Sequence, residues 1–416
     1  MSENAIGLSA QRIKEAGGRD AAVLENDLIR VMIDDLGGMV PELSFKAGRG
    51  RINAHWLPWF RSNSAAPFGA DDGPFWKAEL LHHIAGNFPC APNFGGDDDL
   101  DGMVLPPHGW TANLPWRFLG KGADSKTAWA VFSMESPEPK LPLSFKKIDM
   151  LAAGQPVHYS SLAIHNSGSS GIEVCAAWHN TVGAPFLQSG CRISGAAKRW
   201  ITAPAGGEFD STTRLAPGAQ FDSLEAAPLA AGGTADISTV PGPIGYTDFA
   251  CGVIPETAPL GWSALVNPRL KMAYVCFFTG AAQAAGDDIV LRFNDLWMQY
   301  GGRFYTPWAA SEGGTDLTYC LGTENSASGY ALGLRYAREK KSILGAPATV
   351  LVPPGESRIL RYGTLFAPYE GPALDGGIVS AEAVNGALSL AGKNGAVKFA
   401  ADPAFSILKE AEAKAV

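Results

Sequence analysis

The feature that most constrains this chain is a succession of short β-type runs with almost nothing helical between them. Residues 28–33, 128–134, 157–165, 172–178, 263–266, 273–279, 289–293, 349–352 and 358–366 are each rich in Val, Ile, Phe or Tyr and short enough for a strand. Glycine, proline, Asn and Asp punctuate them, with 49 Gly and 29 Pro in 416 residues. Strand following strand, without a helix between each pair, is the pattern of an antiparallel all-β sandwich rather than a doubly wound fold. Residues 157–165 and 172–178 flank Asn166-Ser167-Gly168-Ser169-Ser170-Gly171, which reads as a hairpin with a Gly/Ser loop. Residues 8–16 are weakly helical. The clearest helix is 403–415, with Asp402 as cap and Pro403 in its first turn.

Composition narrows the function classes. The hydrophobic fraction of 46% supports a large core, and the net charge is −8 with no Lys/Arg run. A mildly acidic chain of that kind is a poor polyanion binder, so no nucleic-acid partner is expected. No apolar run approaches the ~18–20 residues of a membrane span, and residues 1–27 lack a signal-like apolar stretch. No membrane association and a cytoplasmic location are therefore expected. The six cysteines (90, 175, 191, 251, 276, 320) contain no CxxC pair and sit mostly in apolar runs, as buried free thiols would.

Four segments could carry chemistry. His108 lies in Leu105-Pro106-Pro107-His108-Gly109-Trp110, where two prolines and a glycine frame one side chain on a loop. His179 ends a strand-like run and enters the loop Asn180-Thr181-Val182-Gly183-Ala184-Pro185. Glu324 follows the apolar run Tyr319-Cys320-Leu321-Gly322-Thr323, where burial would raise its pKa toward that of a useful base. On spacing alone a structural role is the better-supported reading for each of the three. Asp97-Asp98-Asp99-Leu100-Asp101-Gly102 matches the first half of a calcium loop. Its twelfth position falls on His108 where a Glu is needed, and a solvated acidic turn is the better reading. His82 and His83 are adjacent and would point to opposite faces of a strand, so no metal site is expected there. Dinucleotide, P-loop, zincin and nucleophile-elbow motifs do not occur.

Taken together and in order, these segments resemble the galactose mutarotase-like superfamily, which includes the aldose 1-epimerases. The resemblance runs over residues 22–370. It rests on Leu24-Glu25-Asn26-Asp27 with Gly37-Gly38, on Gly86-Asn87-Phe88-Pro89 and Asn93-Phe94-Gly95-Gly96 leading to His108-Gly109, and on Trp178-His179-Asn180-Thr181. Leu321-Gly322-Thr323-Glu324 and Val352-Pro353-Pro354-Gly355-Glu356 with Tyr362 complete it. It implies a large antiparallel β-supersandwich with few short helices. Residues 1–21 would be an N-terminal extension, 22–370 the sandwich domain and 371–416 an appended segment packed outside.

The resemblance also implies an isomerase that interconverts the anomers of a monosaccharide without a cofactor. Opening a cyclic hemiacetal needs a base for the anomeric hydroxyl and an acid for the ring oxygen. Glu324 is assigned as base, His179 as acid, and His108 as the group that polarises the sugar oxygens. Asp248, Asn93 and Trp110 are the expected sugar-binding residues, and Trp116 or Trp297 could stack on a sugar face. Classical members carry an Arg in the glycine-rich stretch that helps hold the sugar. This chain has acids there, leaving Arg61 or Lys77 to replace it. Other classes remain open: a carbohydrate-binding protein of the same fold without turnover, a sugar-phosphate mutarotase, or a polysaccharide lyase on a related sandwich.

Overall fold

In the computed structural model, residues 7–15, 18–48, 50–62, 78–100, 102–303, 305, 307–308 and 319–414 are described. Two large antiparallel sheets face each other. The first runs Arg192–Gly195, Leu260–Asn267, Met272–Thr279, Ser357–Pro368, Val157–Asn166, Leu143–Ala152, Thr127–Glu135 and Arg117–Ala123. The second runs Gln220–Phe221, Arg199–Thr202, Tyr246–Val253, Phe293–Tyr300, Cys320–Ser326, Ala177–His179 and Phe88–Cys90. Both central strands of the second sheet, Phe293–Tyr300 and Cys320–Ser326, are buried along their whole length. One face of each packs on the first sheet and the other lies under loops.

The interior between the sheets carries buried polar groups as well as apolar ones: Lys147, Asp149, His158 and Ser160 form one hydrogen-bonded network, and a second chain of hydrogen bonds links the two sheets. Asn180 Nδ2 donates to Tyr362 Oη at 2.5 Å, and the Tyr362 hydroxyl donates to Asn325 Oδ1. Ser263 Oγ also donates to Asn325 Oδ1, at 3.1 Å. Trp178 stacks on Tyr362 with ring centroids 5.3 Å apart. Trp178 and Asn180 thus point inward, so His179 between them points to the opposite face of its sheet. By the same alternation Asn325 points inward and Glu324 outward.

The first residues pair as a five-stranded sheet from Ser9–Lys14 to Gly50–Asn53. The last form a three-stranded sheet, Ser380–Val384, Ala387–Gly392 and Gly395–Ala400, followed by the helix Ser406–Lys414. This C-terminal segment lies on the outer face of the first sheet. Phe405 stacks on Phe277 and meets Tyr159 edge-on, and Arg361 holds Asp288 and Glu412 at 2.5 and 2.7 Å. All six cysteines are free and buried.

Three local expectations are corrected. Residues 157–165 and 172–178 do not form a hairpin. Val157–Asn166 belongs to the first sheet, Ile172–Val174 pairs with Val350–Val352, and Ala177–His179 joins the second sheet. The Gly/Ser loop is where the chain crosses between sheets. Asn166 anchors the crossing by donating to Ser170 O and Val352 O. Residues 9–14 are a strand rather than helical, because pairing with Asp20–Glu25 overrides a weak local preference. The C-terminal helix starts at Ser406, not Pro403. Phe405 takes a positive φ of 56°, and Asp402 Oδ2 caps by accepting from the Ile407 N–H at 2.9 Å.

Candidate functional site

Under the outward face of the second sheet lies a cavity of about 560 Å³, bordered by His108, His179, Glu324, Trp297, Trp308 and Arg303. Its volume falls in the range of small-ligand sites, roughly 300–1,000 Å³. His179 and Glu324 reach it from neighbouring strands. His179 Nε2 lies 3.3 Å from Glu324 Oε1, and both side chains are almost wholly buried. Phe88, the cross-strand partner of His179, stacks on its ring at 4.4 Å. Thr181 Oγ1 lies 2.9 Å from His179 Nδ1. Gly322 makes room for the Glu324 carboxyl, since a Cβ there would come within 2.6 Å of Oε1.

His108 arrives from a loop and takes a left-handed backbone with φ 60°, not the extended turn its prolines suggested. Its N–H donates to Gly95 O at 2.8 Å. Gly109 follows at φ 79°, and a Cβ there would strike Ala91 O at 2.3 Å, so only glycine fits behind the histidine. The His108 ring meets His179 edge-on with centroids 4.8 Å apart.

Three of the six residues singled out in the sequence therefore converge, although 71 and 145 positions separate them. Burial pushes the Glu324 carboxyl well above its ordinary value, with the charges of Asp295 and Glu208 adding to it. Burial pulls His179 well below its ordinary value, helped by His108. Burial lowers His108 to about 4, with Arg303 adding to the effect. All three forces favour neutral groups. The simplest state of the pair has the Glu324 carboxyl donating to His179 Nε2, and His179 Nδ1–H donating to Thr181 Oγ1.

The other three lie behind the cavity wall. Asp248 is buried and committed: Oδ1 accepts from Thr213 Oγ1 and the Arg214 N–H, and Oδ2 from Arg214 Nε at 2.7 Å. Asn93 donates to Gly96 O and accepts from the Leu334 N–H, tying the glycine-rich stretch to the helix Leu334–Lys340. Trp110 is buried in the short helix Trp110–Asn113. Trp116 is buried too, its indole N–H donating to Thr111 O. Of the tryptophans named from sequence, Trp297 borders the cavity. Arg61 is buried beside the five-stranded sheet, paired with Asp34 and Glu15. Lys77 and Asp101 lie outside the described residues. The acidic turn is not wholly solvated: Asp98 is buried and its Oδ2 accepts from the Arg335 N–H at 2.6 Å. Among the described residues no three His, Cys, Asp or Glu side chains gather as metal ligands.

Arg303 escaped the sequence reading. It lies over Trp297 and Trp308, 5.1 and 4.5 Å from their ring centroids, and donates to Glu208 Oε1 at 3.0 Å. The available signal was Gly301-Gly302-Arg303 at the end of a strand, a cation where the chain leaves the sheet.

No family model and no curated protein matches this sequence. Solved structures do. A candidate aldose 1-epimerase from Klebsiella pneumoniae superposes with a TM-score of 0.60 at 15% identity, covering 86% of this chain and 83% of that one. A galactose mutarotase-like protein from Clostridium acetobutylicum gives 0.57 at 12%, covering 87% and 99%. This chain has the galactose mutarotase-like fold. A candidate mutarotase from Salmonella typhimurium gives 0.52 at 13% identity, covering 89% and 96%. Within the galactose mutarotase-like fold, the cavity lies on the outward face of the second sheet. No described helix is long and apolar enough to cross a membrane.

Proposed function

We propose that this protein interconverts the anomers of a monosaccharide by proton transfer between the sugar and the Glu324–His179 pair. The observation that carries the reading is the 3.3 Å contact between His179 Nε2 and Glu324 Oε1 on a cavity wall. The likeness to structures described as mutarotases and aldose 1-epimerases supports it.

The pair holds one proton. Moving it from Glu324 to His179 produces a carboxylate and an imidazolium in contact, whose mutual attraction offsets part of the desolvation cost of burying both charges. The carboxylate then takes the anomeric hydroxyl proton while the imidazolium protonates the ring oxygen, and the C1–O5 bond breaks. The product is the open-chain aldehyde. Rotation about C1–C2 presents its other face, and the reverse transfers reclose the ring as the other anomer. Each proton removed is returned, so no cofactor is consumed. His108, held neutral beside His179, hydrogen-bonds a sugar oxygen near the reacting carbon. Arg303, stacked between two indoles, offers its fork to sugar hydroxyls. It stands in for the arginine absent from the glycine-rich stretch. Trp297 or Trp308 gives the sugar an apolar face.

Polarimetry or NMR exchange on a panel of aldoses tests the reading. Glu324→Gln and His179→Ala are each expected to slow interconversion by at least ~100-fold, as for loss of a general acid or base. Arg303→Ala is expected to raise KM with a smaller change in kcat, the sign of lost binding shared by ground and transition states. Wild-type rates in both Glu324→Gln and His179→Ala would refute the assignment. Saturable sugar binding without accelerated exchange by the wild type would select the binding-protein reading.

A further inference from the structure

Behind Glu324 stands a second buried carboxyl that the reaction above does not use. Asp295, on Phe293–Tyr300, is the direct cross-strand partner of Glu324. Directly opposed residues share a face with Cβ atoms about 5 Å apart. Both side chains therefore lie on the cavity side of the sheet, Asp295 fully buried and Glu324 nearly so. The two carboxyls lean apart. Glu324 folds over Gly322, whereas Asp295 Oδ2 accepts from Ser326 Oγ at 2.6 Å and Oδ1 from the Tyr330 N–H at 3.0 Å. The Cys251 thiol, opposite Asp295 on Tyr246–Val253, donates to it as well. Three neutral donors converge on Asp295, while Glu324 shares a proton with one imidazole. Of the two carboxyls, Asp295 is the one built to hold the negative charge.

We infer that Asp295 is a positioning residue that acts on the reaction through Glu324. As a fixed negative charge one strand away, it holds the shared proton on Glu324 and makes its carboxylate a stronger base once the proton moves to His179. The inference rests on the acid–base reading of the pair. The groups facing Glu324 are His179 and Cys90 from the adjoining strands, Cys320 on its own strand, His108 from its loop, and Glu208 and Arg303 across the cavity. Those facing Asp295 are Glu324, Cys251 and Tyr330. Burial raises the Asp295 carboxyl to about 6, and burial raises Glu324 well above its ordinary value with the charge of Asp295 adding to it.

The test compares the wild type with Asp295→Asn and Ser326→Ala, which removes a donor from Asp295 and keeps its charge in the sequence. The basic limb of the pH–rate profile should move to lower pH by about one unit in Asp295→Asn, and by less in Ser326→Ala. A limb unmoved in a folded Asp295→Asn protein overturns the inference, whatever happens to kcat. Infrared titration of the protonated-carboxyl band, assigned to Glu324 by its loss in Glu324→Gln, gives the second readout. The band should disappear at lower pH in Asp295→Asn than in the wild type; the same midpoint overturns the inference. This measurement needs no turnover, so a wild type inactive on every sugar sinks the proposed function without deciding Asp295. Failure of both variants to fold would make Asp295 part of the frame and would also overturn the inference.

Discussion

Glu324 shows how much of a functional residue is made by its neighbours. In the sequence it is one of 41 acidic residues, distinguished by the apolar run before it. In the structure three features turn it into a candidate acid–base group: a wall that removes water, an imidazole 3.3 Å away, and a glycine two residues earlier that leaves space for its carboxyl. Gly322 does this by lacking a Cβ. Gly322→Ala would drive the Glu324 carboxyl from its place, and a displacement of about 1 Å at a reacting group costs on the order of 10²-fold in rate. Interconversion should fall by about that factor while the thermal midpoint changes little, a contrast that polarimetry and calorimetry on one preparation would show. His108 and His179 were legible because unusual flanks marked them. Arg303 was not, because its role depends on Trp297 and Trp308, and Trp308 follows five positions later without any pattern that links it to a site.

At the scale of elements, the pair depends on two strands keeping their relative height. His179 and Glu324 belong to adjacent strands whose next residues, Asn180 and Asn325, turn inward and meet the same Tyr362 hydroxyl. Tyr362 lies on Ser357–Pro368 of the opposite sheet, so one side chain from the first sheet clamps both strands of the second. Tyr362→Phe removes one bond from the Asn180 amide and one from the Asn325 carbonyl, which keep Trp178 O and Ser263 Oγ as partners, at about 0.5–1.5 kcal/mol for each bond lost. A fall in urea midpoint at unchanged m-value, together with a lower kcat, is the expected outcome. A stability loss with full activity would show that the clamp supports the sandwich but does not set the pair. Strand identity was readable from β-rich runs and their punctuation. Pairing was not. The run at 172–178 looks like the return arm of a hairpin, yet its two halves join different sheets, because register and partner are chosen by what covers each face.

For the whole molecule, the C-terminal segment stands apart from the cavity. Phe405 is fully buried against Phe277 and Tyr159 on the far side of the first sheet. Phe405→Ala should destabilise the protein by about 3–5 kcal/mol, as for other large core truncations, and leave the KM for sugar unchanged. Calorimetry and steady-state kinetics check the two halves of that statement. A change in KM would show that the outer layer reaches the site through the sheet.

The order of β-rich runs, turns and marked residues was enough to determine the fold class, since strand formation and face alternation follow local patterns. The resemblance to the mutarotase-like superfamily implied His108, His179 and Glu324 as a set. Only the tertiary structure decided which residues line the cavity. Asp248, Asn93 and Trp110 carry side chains suited to sugar, but their hydrogen bonds and packing are spent inside the protein. Arg303, Trp308 and Asp295 reach or underlie the site because sheet register brings them there. A local pattern encodes which way a side chain alternates along its own strand. What stands opposite it depends on residues far away in the chain.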